Sequence, residues 1–209
     1  MIIVLKKSIQ NINYDIPSTY KIISDCNTLG IFQLESTGIN GVISKLKPSC
    51  FDDIIALLAL YRPGPMDMIP TYIERKEGKP FNYLDDSLIP ILKNTYGIII
   101  YQEQIMQICQ KVANYSLGEA DILRRAISKK QLSVIKAEKE KFIKGCIKNN
   151  IDENKANKLF AFIEKFASYG FNKAHSVGYA IIASIMAYLK VNYAPIFYEA
   201  LLNVNQESG

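Results

Sequence analysis

Apolar residues along this chain recur mostly at the three-to-four-residue spacing of helices, so the pattern predicts a mainly α, multi-helical fold. The run CFDDIIALLALY (50–61) is apolar almost all round, the mark of a buried helix, with Asp52 or Asp53 as its N-cap. It must stop at RPGPM (62–66), where two prolines and a glycine force a turn. A second polar, turn-rich joint, EGKPFNYLDDS (77–87), leads into a stretch where Ile98–Ile100 fits either one short strand or the buried start of a helix; periodicity does not choose.

Beyond it, SLGEADILRRAISKK (116–130) opens with Ser116 as N-cap and Glu119 three residues on, a capping box that fixes where the helix starts. At about 100° per residue, Ile122, Leu123, Ala126 and Ile127 gather on one arc and Asp121, Arg124, Arg125, Ser128 and Lys129 on the other, with Lys130 near the apolar edge. Helices follow over 132–148 and 153–167, the second opened by Asp152 and carrying apolar Leu159, Phe160, Ile163 and Phe166. After the joint ASYGFNKAHS (167–176), where Gly170 suggests a C-cap or tight turn, a long apolar pattern runs from Val177 to Tyr193 and stops near Pro195.

Composition supports an ordinary globular chain of 209 residues with 49% hydrophobic and 22% charged residues, and its 11 Gly and 8 Pro argue against disorder or a fibrous repeat. The net charge of +5 permits contact with phosphate but is milder than a dedicated DNA-binding domain carries. Cys26, Cys50, Cys109 and Cys146 form no CxxC pair and read as buried small hydrophobes in a reducing compartment. MIIVLKKSIQ lacks the features of a signal peptide or membrane anchor, and VGYAIIASIMAYL (177–189) is shorter than the roughly 20 apolar residues needed to span a bilayer, so it reads as a buried core helix. The expected location is the cytoplasm, with no membrane partner.

Arg124, Arg125, Lys129 and Lys130 admit two readings. One is a solvated helix face on which Asp121 pairs with Arg125 at i, i+4; the other is a rigid row of donors aimed at phosphate oxygens. His175, the one histidine, lies close to Asn172 and Lys173, and fits a core histidine or helix cap as well as a hydrogen-bond donor at a ligand. Tyr101, Gln102, Glu103 and Gln104 put polar groups between apolar residues, where they are costly unless paired, and so predict a structural network. The pairs Asp52–Asp53 and Asp85–Asp86 suit helix caps better than metals, and the chain holds no P-loop, dinucleotide or serine-hydrolase motif.

TLGIFQLES (28–36), ALLALYRPGPM (56–66), TYGIIIYQEQIMQI (95–108), SLGEADILRRAISKK (116–130) and YGFNKAHSVGYA (169–180) occur in an order that resembles the C-family of bacterial replicative DNA polymerases, the polymerase III alpha subunits, in their DnaE-type branch. The resemblance implies the helical fingers region of a DNA-directed DNA polymerase, a nucleotidyltransferase of DNA replication. Its layout is a lead-in over 1–27, fingers over 28–204 and a tail over 205–209. By the same resemblance, Arg124 and Arg125 face the incoming deoxynucleoside triphosphate, Lys129 and Lys130 continue that basic surface, and Asn172, Lys173 and His175 lie near the nascent base pair. Arg62 and the Tyr101–Gln104 group match motifs of architectural role. The implied partners are deoxynucleoside triphosphates, primer-template DNA and the remainder of the alpha subunit. The implied Mg2+ is bound by palm aspartates expected to precede Met1, so this piece alone is expected not to polymerise. One departure is Ser128, where the family usually has glycine, which favours helix continuity by a few tenths of a kcal/mol. The rival class is a non-catalytic helical scaffold that binds DNA or a protein partner.

Overall fold

The structure is a computed structural model that describes residues 16–207. MIIVLKKSIQ, most of the 1–27 lead-in and the last two residues of the 205–209 tail lie outside the described residues. The described helices are α1 (Pro17–Ser24), α2 (Thr37–Leu46), α3 (Phe51–Leu60), α4 (Ile69–Lys76), α5 (Ile89–Leu92), α6 (Gln102–Ala113), α7 (Leu117–Ser128), α8 (Leu132–Lys148), α9 (Glu153–Ala167), α10 (Lys173–Asn192) and α11 (Ala194–Glu207), with 3-10 turns at Pro65–Met68, Asp86–Leu88 and Lys93–Thr95. The mainly α expectation holds, and no strand occurs among the described residues. Ile98–Ile100 is neither strand nor helix: it is buried chain without regular structure, followed by a one-residue parallel bridge, Tyr101 to Phe171.

The chain divides into two compact units. One comprises Ala59–Lys173; the other combines the residues up to Leu58 with those from Ala174 onward.

In the second of these, α3 begins at Phe51 rather than at either aspartate, which puts Asp52 and Asp53 inside its first turn. Asp53 is buried, and its carboxylate accepts from the Ser49 backbone N–H at 2.8 Å, so it ties the turn before the helix to the helix itself. α10 is longer than its apolar run and is buried on one face only. Ser176, Ala180, Ala183, Ser184, Ala187 and Lys190 form that face, small residues at helical spacing that allow close packing, while Ile182 and Val191 are exposed. It reaches 20 residues and is apolar enough for a membrane span by length and composition, with a third of that stretch buried. Ser176 Oγ donates to the Ile55 carbonyl at 2.7 Å. The buried Lys190 ammonium donates to the carbonyls of Asn27 and Leu29 at 3.0 and 2.8 Å, as a buried cation requires. α10 stops at Asn192, near Pro195 as expected, and Pro195 itself sits in the first turn of the next helix, α11, where its missing N–H costs nothing.

The Ala59–Lys173 unit is built on α6, α7, α8 and α9. Ile105, Ile108, Val112, Leu123, Ile127, Leu159 and Ile163 join Phe142 and Phe160 in its core, the two rings edge to face at 5.5 Å. Both predicted caps are present. Ser116 Oγ accepts from the Glu119 N–H while Glu119 accepts from the Ser116 N–H at 2.7 Å, and Asp152 accepts from the Lys155 N–H at 2.9 Å. The cysteine expectation holds for Cys109 and Cys146, which are buried, but not for Cys50, which is exposed, or Cys26, which is half-buried.

Candidate functional site

The capping box sets the register of α7 and thereby the face on which the two arginines stand. Ala120, Leu123, Ala126 and Ile127 turn inward; Ile122, assigned to the apolar arc from the sequence, is instead 53% exposed, because the buried stripe is one position narrower on that side. Asp121 lies one turn before both arginines, at i+3 and i+4, so a single carboxylate serves two guanidiniums. Its Oδ1 accepts from Arg124 Nε at 2.8 Å and Nη2 at 2.6 Å, and its Oδ2 pairs with Arg125 Nη2 at 2.7 Å. The expected Asp121–Arg125 pair is thus present and is joined by Arg124. Hydrogen bonding from Arg124 holds the Asp121 carboxyl below the usual range, which keeps it ionised beside the pair.

The two arginines differ in exposure. The Arg124 side chain is 19% exposed and the Arg125 side chain 65%. Arg124 also donates through Nη1 to Gln102 Oε1 at 3.1 Å. Lys129 and Lys130 do not continue the helical row. α7 ends at Ser128, Lys129 is its C-cap and Lys130 turns left-handed at φ 53°, so both exposed lysines belong to the turn into α8.

The Tyr101–Gln104 group is a network, as its cost of burial demanded. Gln104, 6% exposed, accepts from the N–H groups of Ile100 and Tyr101 at 2.9 and 3.0 Å and donates to the Ile91 carbonyl and Thr95 Oγ1 at 3.2 and 2.8 Å. Gln102 donates to the Gly170 carbonyl at 3.1 Å while accepting from Arg124. Glu103 accepts from the Lys173 N–H at 3.1 Å and from Asn172 Nδ2 at 3.3 Å, which puts a carboxylate at the electropositive start of α10. The Lys173 ammonium lies over the Tyr101 ring at 5.3 Å.

Backbone hydrogen bonds lace this segment to the one after α9: Gln102 N–H to the Phe171 carbonyl and Phe171 N–H to the Ile100 carbonyl, each 2.9 Å. Gly170 packs closely there: a Cβ would come within 3.1 Å of Ile105 Cδ1 and 3.2 Å of Gln102 Cγ, so those side chains would have to give by a few tenths of an ångström. Arg62 clasps the same segment, donating to the carbonyls of Ala59, at 2.8 Å, and Tyr169, and lying over the Phe171 ring at 4.6 Å. Gly64 has φ +101° and faces the Tyr169 ring at a distance no Cβ could share, which accounts for the glycine of the RPGPM turn.

Within the Ala59–Lys173 unit the fold therefore brings together Arg62, the Tyr101–Gln104 group, Arg124, Asn172 and Lys173. The sequence marks Gln102 as a polar group that needs a partner and Gly170 as a turn, but it does not show that Gln102 joins the architectural motif to Arg124. His175 stands in the other unit, exposed on the first turn of α10, with its ring 4.3 Å from that of Tyr179. It is not a core histidine.

No group of three or more His, Cys, Asp or Glu side chains gathers among the described residues. Asp53 is taken by Ser49, and Asp85 by the Ser87 N–H and by Lys155 at 2.6 Å. These carboxylates do not fit a catalytic magnesium ion.

The Ala59–Lys173 unit is thus a helical body that carries a carboxylate-bridged arginine pair beside a buried glutamine network. The profile of the bacterial DNA polymerase III alpha subunit finger domain matches residues 4–150, and the chain belongs to that family. It is 52% identical over 93% of its length to the DNA polymerase III subunit alpha of Staphylococcus aureus (strain N315), and 47% identical over 95% to that of Bacillus subtilis (strain 168). In both cases it spans 18% of the relative's length.

Proposed function

We propose that this domain binds the incoming deoxynucleoside triphosphate and contacts the nascent base pair during template-directed DNA synthesis by a DNA-directed DNA polymerase. The observation that carries the reading is the arginine pair. Two adjacent guanidiniums stand on a capped helix, one fixed by a polar network and one open to solvent, in a chain of the polymerase III finger family. Arg124 and Arg125 supply fork-shaped, charge-assisted donors to phosphate oxygens, and Lys129 and Lys130 add point charges. Asn172, Lys173 and His175 serve the nascent pair.

Primer-template DNA and the remainder of an alpha subunit are the partners in this reading, and the cytoplasm its location. Mg2+, held by another part of the polymerase, would supply charge neutralisation at the phosphate oxygens. This chain's own residues bind and orient the triphosphate, a contribution that is large in phosphoryl transfer because catalysis there is mostly positioning and electrostatics.

Single-turnover incorporation by the full-length polymerase subunit carrying Arg124→Ala and Arg125→Ala tests this. Two lost charge-assisted bonds, roughly 1.5 to 3 kcal/mol each, should lower kcat/KM for nucleotide by about 10² to 10⁴. Retention of kcat/KM within about twofold rejects the assignment.

A further inference from the structure

The arginine pair carries a built-in competitor. Asp121 holds both guanidiniums at hydrogen-bond distance, and a triphosphate reaching the same donors must share or displace it. The two arginines are not equally held. Arg124 gives three of its N–H groups to protein acceptors, Nε and Nη2 to Asp121 and Nη1 to Gln102, and is mostly buried. Arg125 has its one ion pair with Asp121 and is mostly exposed. Gln102 is itself fixed at its other end by the Gly170 carbonyl.

From this arrangement we propose that Asp121 and Gln102 are positioning residues that divide the pair into a fixed arginine and an exchanging one. Asp121 and Gln102 hold Arg124 as a static post, whereas Arg125 leaves Asp121 for the triphosphate when nucleotide arrives. The proposal rests on the reading that this pair faces the triphosphate.

Its physical content is a trade of ground-state affinity for geometry. With Asp121 ionised, the trio carries one net positive charge; without nucleotide, both guanidiniums are paired with Asp121, and nucleotide gains only the difference between phosphate and carboxylate at Arg125. What the carboxylate provides in return is an Arg124 already oriented before binding, which is the component that raises turnover rather than affinity. Exchange falls to Arg125 because an exposed ion pair is weak and readily replaced, whereas a buried, triply bonded guanidinium is not.

Charge and geometry separate in two variants of the full-length polymerase subunit, assayed by nucleotide-dependent primer extension. Asp121→Asn keeps the shape but removes the competing charge, so KM for nucleotide should fall about threefold or more while kcat falls about tenfold. Gln102→Met loosens Arg124 without changing charge, so kcat should fall and KM stay within about twofold. A merely structural role for Asp121 predicts a smaller active fraction with unchanged KM. An Asp121→Asn KM that is unchanged or raised overturns the inference, as does a Gln102→Met variant that lowers KM equally.

Arg125→Gln serves as the control for the underlying reading. If it leaves nucleotide KM unchanged, the triphosphate assignment itself fails; if it raises KM while Asp121→Asn does not lower it, only the division of labour fails.

Discussion

Gln102 and Arg124 stand 22 positions apart in the chain and meet at 3.1 Å, guanidinium to amide oxygen. The same glutamine side chain spans to the Gly170 carbonyl, so the mostly buried Arg124 is anchored to the backbone of a segment on the far side of α9 in sequence. Its neighbours extend the pattern: Glu103 holds the start of α10 and Gln104 stitches the turn before α6. One short motif thus supports several parts of the candidate site.

Gln104 is the member whose loss the fold should feel most. Gln104→Leu fills the space but strands the N–H groups of Ile100 and Tyr101 in a buried setting, at about 2 to 4 kcal/mol in total. Urea unfolding should show that loss with little change in slope. A loss below about 0.5 kcal/mol would mean that water satisfies these groups in place of the amide.

Two glycines on helices should respond oppositely to alanine. At Gly145 a Cβ would lie 2.2 Å from the Ala113 carbonyl oxygen, a backbone atom that cannot swing aside, so Gly145→Ala should destabilise by about 2 to 3 kcal/mol. Gly118, in the first turn of α7, has open space, and Gly118→Ala should stabilise by about 0.5 to 1 kcal/mol. Thermal melts of the two variants check the pair.

Acid should weaken the domain through two carboxylates. Burial pushes the Asp85 carboxyl up, but hydrogen bonds from Lys155 and Ser87 outweigh it and hold the group at about 2, against an ordinary 3.8. Hydrogen bonds from Lys141 and Ser116 hold Glu119 at about 2, against 4.5. Groups depressed in the folded state stabilise it fully above their unfolded values and lose that contribution as pH falls toward the folded ones. Tm should therefore drop between about pH 5 and pH 2. The double variant Asp85→Asn, Glu119→Gln should melt lower at pH 7 and fall less steeply; an equally steep fall would assign the acid sensitivity to other groups.

Local chemistry was readable in the sequence and long-range contact was not. Ser116 with Glu119, and Asp152 before α9, announce helix starts because a cap and its target lie within one turn; the span 132–148 matches α8 without a side-chain cap, on its apolar spacing alone. The polar cost of burying Gln104 likewise predicts a network without saying with whom. Ile122 was misplaced because a helical wheel gives an angle but not how wide the buried stripe is. Lys129 and Lys130 were placed on a helix that stops at Ser128, and the bridge at Tyr101 depends on Phe171, a residue beyond four intervening helices. The arginine pair was visible as charge; its tie to Gln102 required the fold.

The central claim is that the arginine pair reads the phosphates of a nucleotide. Its most direct test is the ratio of triphosphate to monophosphate affinity, measured by equilibrium binding to the full-length polymerase subunit with primer-template, for wild type and for Arg125→Gln. The account predicts a strong preference for triphosphate in the wild type and a ratio reduced about tenfold or more in the variant, the loss of one charge-assisted contact. An unaltered ratio in Arg125→Gln would contradict it.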